Sequence, residues 1–157
     1  MESPVSVFKN IWLADDDIDD RQLFEDAVNQ ILPATTVSTF LNGEVLMAAV
    51  HAGQMPDILF LDINMPCKDG MDCLKEIRAI EQFSRLPIIM FSSSVQPKHV
   101  EPAYGFGANL YYSKPTTFYE LIAGLSNLFR MNWADPYTIT SNHYINNKFV
   151  AYKNHLL

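Results

Sequence analysis

The chain lacks the residue patterns of several protein classes. Its two cysteines, Cys67 and Cys73, are too few for a disulfide framework and form no CxxC, so a reducing cytoplasm is the expected location. Its 11 basic residues are outnumbered by 18 acidic ones and form no stripe, so we expect no direct nucleic-acid binding. No apolar run approaches the ~20 residues that span a bilayer. The start, Met1 to Pro4, lacks a basic segment before an apolar stretch, so we expect neither a signal peptide nor a membrane.

What is present indicates one globular domain. The chain has 157 residues, of which 48% are hydrophobic, and its mean hydropathy is -0.01. Short apolar runs with β-prone residues alternate with stretches of helical spacing, as in parallel sheets whose strands are buried on both faces. We therefore predict an α/β fold: a doubly wound, flavodoxin-like sheet in the order 2-1-3-4-5, with helices on both faces. The predicted strands are 11–14, 35–40, 58–61, 87–91 and 110–112.

Polar and charged residues follow four of these strands. Asp15 and Asp16 come after the first strand, Asp62 after the third, Ser92 after the fourth and Lys114 after the fifth. In doubly wound sheets, ligands bind outside the carboxyl ends of the strands, where the strand order reverses. Clustered carboxylates repel one another unless a cation or a phosphoryl group lies between them. The pattern thus predicts a site that places phosphate on a carboxylate beside a divalent metal.

These motifs resemble a known family. The order and spacing of the strand-end residues are similar to those of receiver domains of two-component response regulators. The resemblance is carried by Asp15-Asp16, by Asp62-Ile63-Asn64-Met65-Pro66 with Asp69-Gly70 downstream, by Ser92 and by Lys114-Pro115. We assign residues 5–131 to the receiver domain and 132–157 to a C-terminal extension, with no separate output domain. The Asp-Asp-Asp run most resembles single-domain receivers paired with phytochrome-type sensor kinases.

The resemblance implies a phosphorylation switch. A sensor histidine kinase or phosphotransfer protein would supply the phosphoryl group, the reaction would need Mg²⁺, and a downstream protein target would bind the switched face. Such a protein is no enzyme beyond its own phosphorylation and dephosphorylation. The implied roles are Asp62 as phosphoacceptor, Asp15, Asp16 and the backbone carbonyl of Asn64 at the metal, Lys114 at the phosphate, Ser92 as switch hydroxyl and Tyr111 as switch aromatic.

Two other functions compete with the phosphoreceiver. A phosphatase of the Asp-x-Asp type would need a second acid two residues after the nucleophile to protonate the leaving group, but Asn64 stands there. A pseudo-receiver would be an interaction module that is never phosphorylated, and the intact set of pocket residues speaks against it. Simpler interpretations also exist: Asp17 is expected to cap the first helix, and Tyr111 would be an ordinary half-buried aromatic.

The extension is rich in aromatic residues and poor in charge, unlike a disordered tail. It contains Trp133, Tyr137, Tyr144, Phe149 and Tyr152. The run Tyr137 to Thr140 is β-prone, and Pro136 places it beyond the last receiver helix. We expect the extension to pack against its own receiver or against a second subunit, which would make a homodimer. The alternative is a mobile tail.

Overall fold

The computed structural model describes residues 8–153, so the predicted domain start at residue 5 and the end of the extension at 157 lie outside the described residues. Strands and helices alternate through the receiver part. The strands are β1 (Asn10–Ala14), β2 (Thr36–Phe40), β3 (Ile58–Leu61), β4 (Ile88–Ser92) and β5 (Leu110–Ser113). The helices are α1 (Ile18–Ile31), α2 (Gly43–His51), α3 (Gly70–Arg78), α4 (Pro97–Gly105) and α5 (Phe118–Phe129), with a 3₁₀ turn at Glu81–Phe83.

The five strands form one parallel sheet in the order β2-β1-β3-β4-β5, which confirms the predicted fold class. The central strands are apolar throughout because helices cover both of their faces. Alternate residues of β1 point to opposite faces of the sheet. Trp12 and Ala14 belong to the core beneath α2, α3 and α4. Ile11 and Leu13 belong to the core beneath α1 and α5. The edge strand β2 is less buried. Within residues 8–153, no helix is both long and apolar enough to cross a bilayer.

Side-chain caps fix where two helices begin at the carboxyl edge of the sheet. The Asp17 carboxylate accepts the N–H groups of Asp19 at 2.8 Å and Asp20 at 3.1 Å, which confirms Asp17 as the cap of α1. The Asp69 carboxylate accepts the N–H of Asp72 at 2.9 Å and caps α3. These caps set the direction in which each helix leaves the edge, and thereby which side chains return toward it.

The extension contains a helix where a strand-like run was expected. Residues Pro136–Asn142 form α6, so the β-prone interpretation of Tyr137 to Thr140 is wrong. The Asp135 carboxylate caps the helix through the Thr138 N–H and hydroxyl, and Pro136 occupies the first helical position, where its fixed φ is suitable. Ile139 is buried against the receiver core. Capping and burial therefore outweigh the weak local preference for a strand.

The rest of the extension packs against its own receiver. A two-stranded hairpin of β6 (Tyr144–Ile145) and β7 (Lys148–Phe149) leads to Tyr152, which pairs in parallel with Tyr112 at the outer edge of β5. The Tyr152 hydroxyl donates to the carbonyl of Gly124 in α5 at 2.9 Å. Residues 132–153 thus close the edge of the sheet that β5 would otherwise leave unpaired.

Candidate phosphoacceptor site

Strand register brings two acids side by side. In the β1–β3 pairing, Ala14 lies opposite Leu61, so the next residues, Asp15 and Asp62, leave the sheet together. The Asp62 N–H donates to the Ala14 carbonyl at 2.9 Å, which extends the pairing to the point where the carboxylates emerge. Both side chains are almost completely buried, Asp15 at 0% and Asp62 at 6% exposure. Burying two carboxylates this close together raises their free energy unless a cation compensates them.

A third acid completes a cluster with the donor set of a metal site. Asp15, Asp16 and Asp62 each offer a carboxylate oxygen, and these oxygens all lie within 4.8 Å of one another. Asp16 is exposed to solvent, unlike the other two. Mg²⁺ prefers oxygen ligands and keeps several of its waters, so a cluster with two buried acids and one exposed acid suits it.

Lys114 brings positive charge to the same edge. It follows β5, and its N–H donates to the Ser92 carbonyl at 2.9 Å, which continues the β4–β5 pairing. Its ammonium donates to Asp15 at 2.7 Å and to Asp62 at 3.3 Å. A further contact, to Asp20 at 2.9 Å, comes from the first turn of α1. The ammonium therefore has one carboxylate for each of its three N–H bonds.

The ionisation of Asp62 and Lys114 reflects burial and mutual charge. Burial raises the pKa of Asp62, the Lys114 charge lowers it and the Asp15 charge raises it again, with a net pKa of about 6. For Lys114, burial favours the neutral form, but the hydrogen bond to Asp15 and the charges of Asp62 and Asp15 prevail, so its pKa lies above its ordinary value. Lys114 therefore remains a fixed cation, whereas Asp62 takes up a proton more readily than an ordinary aspartate.

The proposed switch residues lie on neighbouring strands. Ser92 ends β4 and is 1% exposed, and Tyr111 lies within β5 and is completely buried rather than half-buried. The Tyr111 hydroxyl donates to the Ser94 carbonyl at 2.8 Å. Burial raises the pKa of Tyr111, and hydrogen bonding with Ser92 and Ser94 opposes that rise. The Tyr111 ring thus points toward the loop that follows β4.

The loop after Asp62 is held close to it by a glycine. Asn64 lies two residues after Asp62 with an exposed side chain. The Gly70 N–H donates to the Ile63 carbonyl at 2.8 Å, and a Cβ on Gly70 would lie 2.0 Å from the Asp62 carbonyl oxygen. Only a residue without a side chain permits this approach, which keeps the loop against the carboxyl end of β3.

One acid at the site was not anticipated. Asp20 contacts the Lys114 ammonium, but it lies within α1, and the sequence pattern singled out only acids at the ends of strands, up to Asp17. The spacing held a signal, since Asp20 is one helical turn after Asp16 and a capped helix at Asp17 brings that position back toward the sheet edge. The predicted residues that the structure brings into direct contact or clustering are Asp15, Asp16, Asp62 and Lys114.

Comparisons with known proteins point to one family. The family model of the response regulator receiver domain matches residues 11–126. The chain is 34% identical over 113 residues to the DNA-binding transcriptional regulator NtrC of Salmonella typhimurium, covering 72% of this chain and 23% of that protein. It is 32% identical over 116 residues to a probable C4-dicarboxylate response regulator, DctR, of Halalkalibacterium halodurans, covering 74% of this chain and 49% of that protein. The chain thus spans about a quarter of the length of the NtrC proteins it matches.

Solved structures agree with this match. The phosphorylated cyanobacterial phytochrome response regulator RcpA is 26% identical, with a TM-score of 0.73 over 78% of this chain and 91% of that one. The bacteriophytochrome response regulator RtBRR is 25% identical, with a TM-score of 0.66 over 78% of both chains. The Mn²⁺-bound response regulator Rcp1, at 23% identity and a TM-score of 0.70 over 76% of this chain and 91% of that one, shares the fold.

Proposed function

The chain belongs to the response regulator receiver domain family, and we propose that its Asp62 accepts a phosphoryl group from a sensor histidine kinase or a phosphotransfer protein. The observation that carries this proposal is the position of Asp62, buried at the sheet edge beside two acids and 3.3 Å from the Lys114 ammonium. A carboxylate can attack phosphorus only where the charge on the phosphoryl oxygens is compensated, and this edge supplies that charge.

Asp62 is better suited to attack than Asp15. Asp15 is fully buried, accepts the Asp17 N–H at 3.0 Å and holds the Lys114 ammonium at 2.7 Å, so both of its oxygens are engaged. Asp62 is slightly exposed, and its contact with Lys114 is the longer one. A nucleophile must be reachable by the phosphoryl group, and Asp62 is the more accessible of the two acids.

The residues around Asp62 fit a magnesium site. Asp15, Asp16 and Asp62 would hold Mg²⁺ together with the backbone carbonyl of Asn64, directly or through water. Bound there, the ion would offset the negative charge of the phosphoryl oxygens. The response regulator Rcp1, which shares this fold, has been solved in an Mn²⁺-bound form, and this supports a divalent cation here.

Transfer of the phosphoryl group from a phosphohistidine to Asp62 needs no further reactant. An Asp62 oxygen forms a bond to phosphorus as the phosphorus–nitrogen bond of a phosphohistidine breaks, and the histidine nitrogen retains the electron pair. The product is an acyl phosphate. Lys114 contributes a compact cation toward a phosphoryl oxygen, so catalysis consists mainly of positioning and charge stabilisation. Water later hydrolyses the acyl phosphate, which resets the protein.

Ser92 and Tyr111 form the proposed switch. The Ser92 hydroxyl would move toward the new phosphoryl oxygen, and Tyr111 would respond because its hydroxyl lies beside Ser92 and Ser94. The changed face is formed by α4, β5 and α5, where a downstream protein target would bind. A ligand shifts such an equilibrium only if it binds one conformer better than the other.

The remaining parts of the proposal concern organisation and setting. Residues 5–131 would be the receiver unit and 132–157 an extension. We place the protein in the cytoplasm, away from nucleic acid and membrane, and keep a homodimer as an additional assembly. The phytochrome response regulators among the similar structures favour a phytochrome-type sensor as its kinase.

Treatment with a small phosphodonor tests the function directly. With acetyl phosphate and Mg²⁺, we expect a mass gain of one phosphoryl group, mapped to the peptide that contains Asp62. Asp62→Asn should abolish it, whereas Asp26→Asn, which changes an exposed acid of α1, should not. Phosphate found on a histidine or serine would contradict the proposal. No labelling of a folded, Mg²⁺-binding protein by any donor would favour the pseudo-receiver.

A further inference from the structure

The contacts of the Lys114 ammonium are unequal. It lies 2.7 Å from Asp15 and 2.9 Å from Asp20, both on the side of β1 and α1, but 3.3 Å from Asp62 at the end of β3. The cation is therefore drawn toward α1 and away from the proposed phosphoacceptor. Because these three carboxylates match its three N–H bonds, a phosphoryl oxygen on Asp62 must compete with Asp15 and Asp20 for the ammonium.

Of the two shorter contacts of the ammonium, the one with Asp20 is the more easily displaced. Asp15 has a side chain with no exposure and also accepts the Asp17 N–H at 3.0 Å, so losing Lys114 would leave a buried charge less compensated. The Asp20 side chain is 38% exposed, and water can replace the ammonium there. Displacing Lys114 from Asp20 thus costs much less free energy than displacing it from Asp15.

We infer, on the basis of the proposed function, that Asp20 is a positioning residue that holds Lys114 in a withdrawn position until a phosphoryl group arrives. The held state stabilises the unphosphorylated protein relative to the phosphorylated one. Asp20 also places a negative charge beside the ammonium that must meet the anionic phosphoryl group. Its role is to weaken the affinity of the site for that group, so that Asp62 is phosphorylated less readily and the switch remains off without its kinase.

Removing the charge of Asp20 should therefore make the site bind a phosphoryl mimic more tightly. The test uses beryllium fluoride with Mg²⁺ as a non-covalent mimic of the phosphoryl group, and titration calorimetry on the full chain. We expect Asp20→Asn to bind the mimic about two- to five-fold more tightly than the wild type, the range for a partly exposed ion pair. Asp19→Asn is the matched control, because it removes the same charge from the same helical turn without a contact to Lys114.

A double-mutant cycle separates positioning from a structural effect. In a Lys114→Gln background, Asp20→Asn should change the affinity for the mimic by less than it does with Lys114 present. Asp20→Ser, which also removes the charge, replaces Asp20→Asn if that variant fails to fold. Equal effects of Asp20→Asn and Asp19→Asn, a weaker affinity of Asp20→Asn, or a gain that persists without Lys114 would overturn the inference.

Failure of the proposed function would look different. In that case the wild type would bind no mimic and take up no phosphate on Asp62. A wild type that binds the mimic and becomes phosphorylated, alongside an Asp20→Asn variant identical to it, overturns the role of Asp20 alone.

Discussion

The ionisation of Asp62 should make the metal-free protein less stable as the pH rises. Its pKa is about 6 in the folded protein against an ordinary value of 3.8, so the folded state holds the proton more tightly than the unfolded chain. The stability that this proton contributes is complete below pH ~4 and is lost as the pH rises through about 6. At ~1.4 kcal/mol per pKa unit, the loss amounts to about 3 kcal/mol of the free energy of unfolding.

Asp62→Asn should remove this penalty, since asparagine has nearly the same shape and no charge. Lys114 keeps Asp15 and Asp20 as partners, so the substitution leaves no unpaired ammonium. In EDTA at pH 8, we expect the variant to be more stable than the wild type by up to about 3 kcal/mol, or roughly 6 to 12 °C in Tm for a chain of this size. Near pH 3.5 the two proteins should unfold alike.

Urea and thermal unfolding at both pH values measure the effect, with Asp26→Asn as an exposed control. Millimolar Mg²⁺ should narrow the difference at pH 8, because it stabilises the wild type by binding to the ionised acids. Asp62→Asn that is no more stable than the wild type at pH 8 in EDTA, or a difference that does not depend on pH, would refute the argument.

Three further predictions concern the rest of the fold. The Tyr112 hydroxyl is buried without a hydrogen-bond partner in the part of the chain that the structure describes, so Tyr112→Phe should raise the free energy of unfolding by about 1 kcal/mol. Tyr152→Phe loses the hydrogen bond to the Gly124 carbonyl and should lower the free energy of unfolding by about 1 kcal/mol. The reverse order of the two variants in urea titrations would contradict this prediction. Gly70→Ala should lower the free energy of unfolding by ~1–3 kcal/mol and slow the phosphorylation of Asp62, because the added Cβ would collide with the Asp62 carbonyl oxygen. Unchanged phosphorylation kinetics would count against this prediction. Truncation after Asn142 should lower the melting temperature, and an unchanged melting curve would show that residues 143–157 add no stability.

Sequence alone predicted the features that depend on local pattern. The apolar strands end in Asp15 and Asp62, and the strand order of a doubly wound sheet is enough to place these residues side by side. The extension was harder to predict. The run Tyr137 to Thr140 has β-prone side chains, but the cap of Asp135 and the fixed φ of Pro136 decided for a helix.

Contacts that depend on tertiary geometry were beyond the sequence. The Asp20 contact with Lys114 requires both the direction of α1 and the length of the Lys114 side chain, which join residues that are 94 positions apart. The complete burial of Tyr111 was also missed, because it depends on the packing of its face of β5 within the core beneath α2, α3 and α4. Neither the Asp20–Lys114 contact nor the burial of Tyr111 is marked by a periodicity or motif in the sequence.

The extension is joined to Tyr111 through the backbone of β5. The Tyr111 N–H donates to the Tyr104 hydroxyl at 3.0 Å, and that hydroxyl donates to the Val150 carbonyl at 2.8 Å. On the same edge, the Tyr152 N–H donates to the Tyr111 carbonyl at 2.6 Å. Both outward backbone groups of Tyr111 are thus held by the extension or by a residue bound to it, while its hydroxyl is held by Ser94. A rearrangement that displaces the backbone of Tyr111 must break these contacts, so the extension stabilises the position of β5 at this residue.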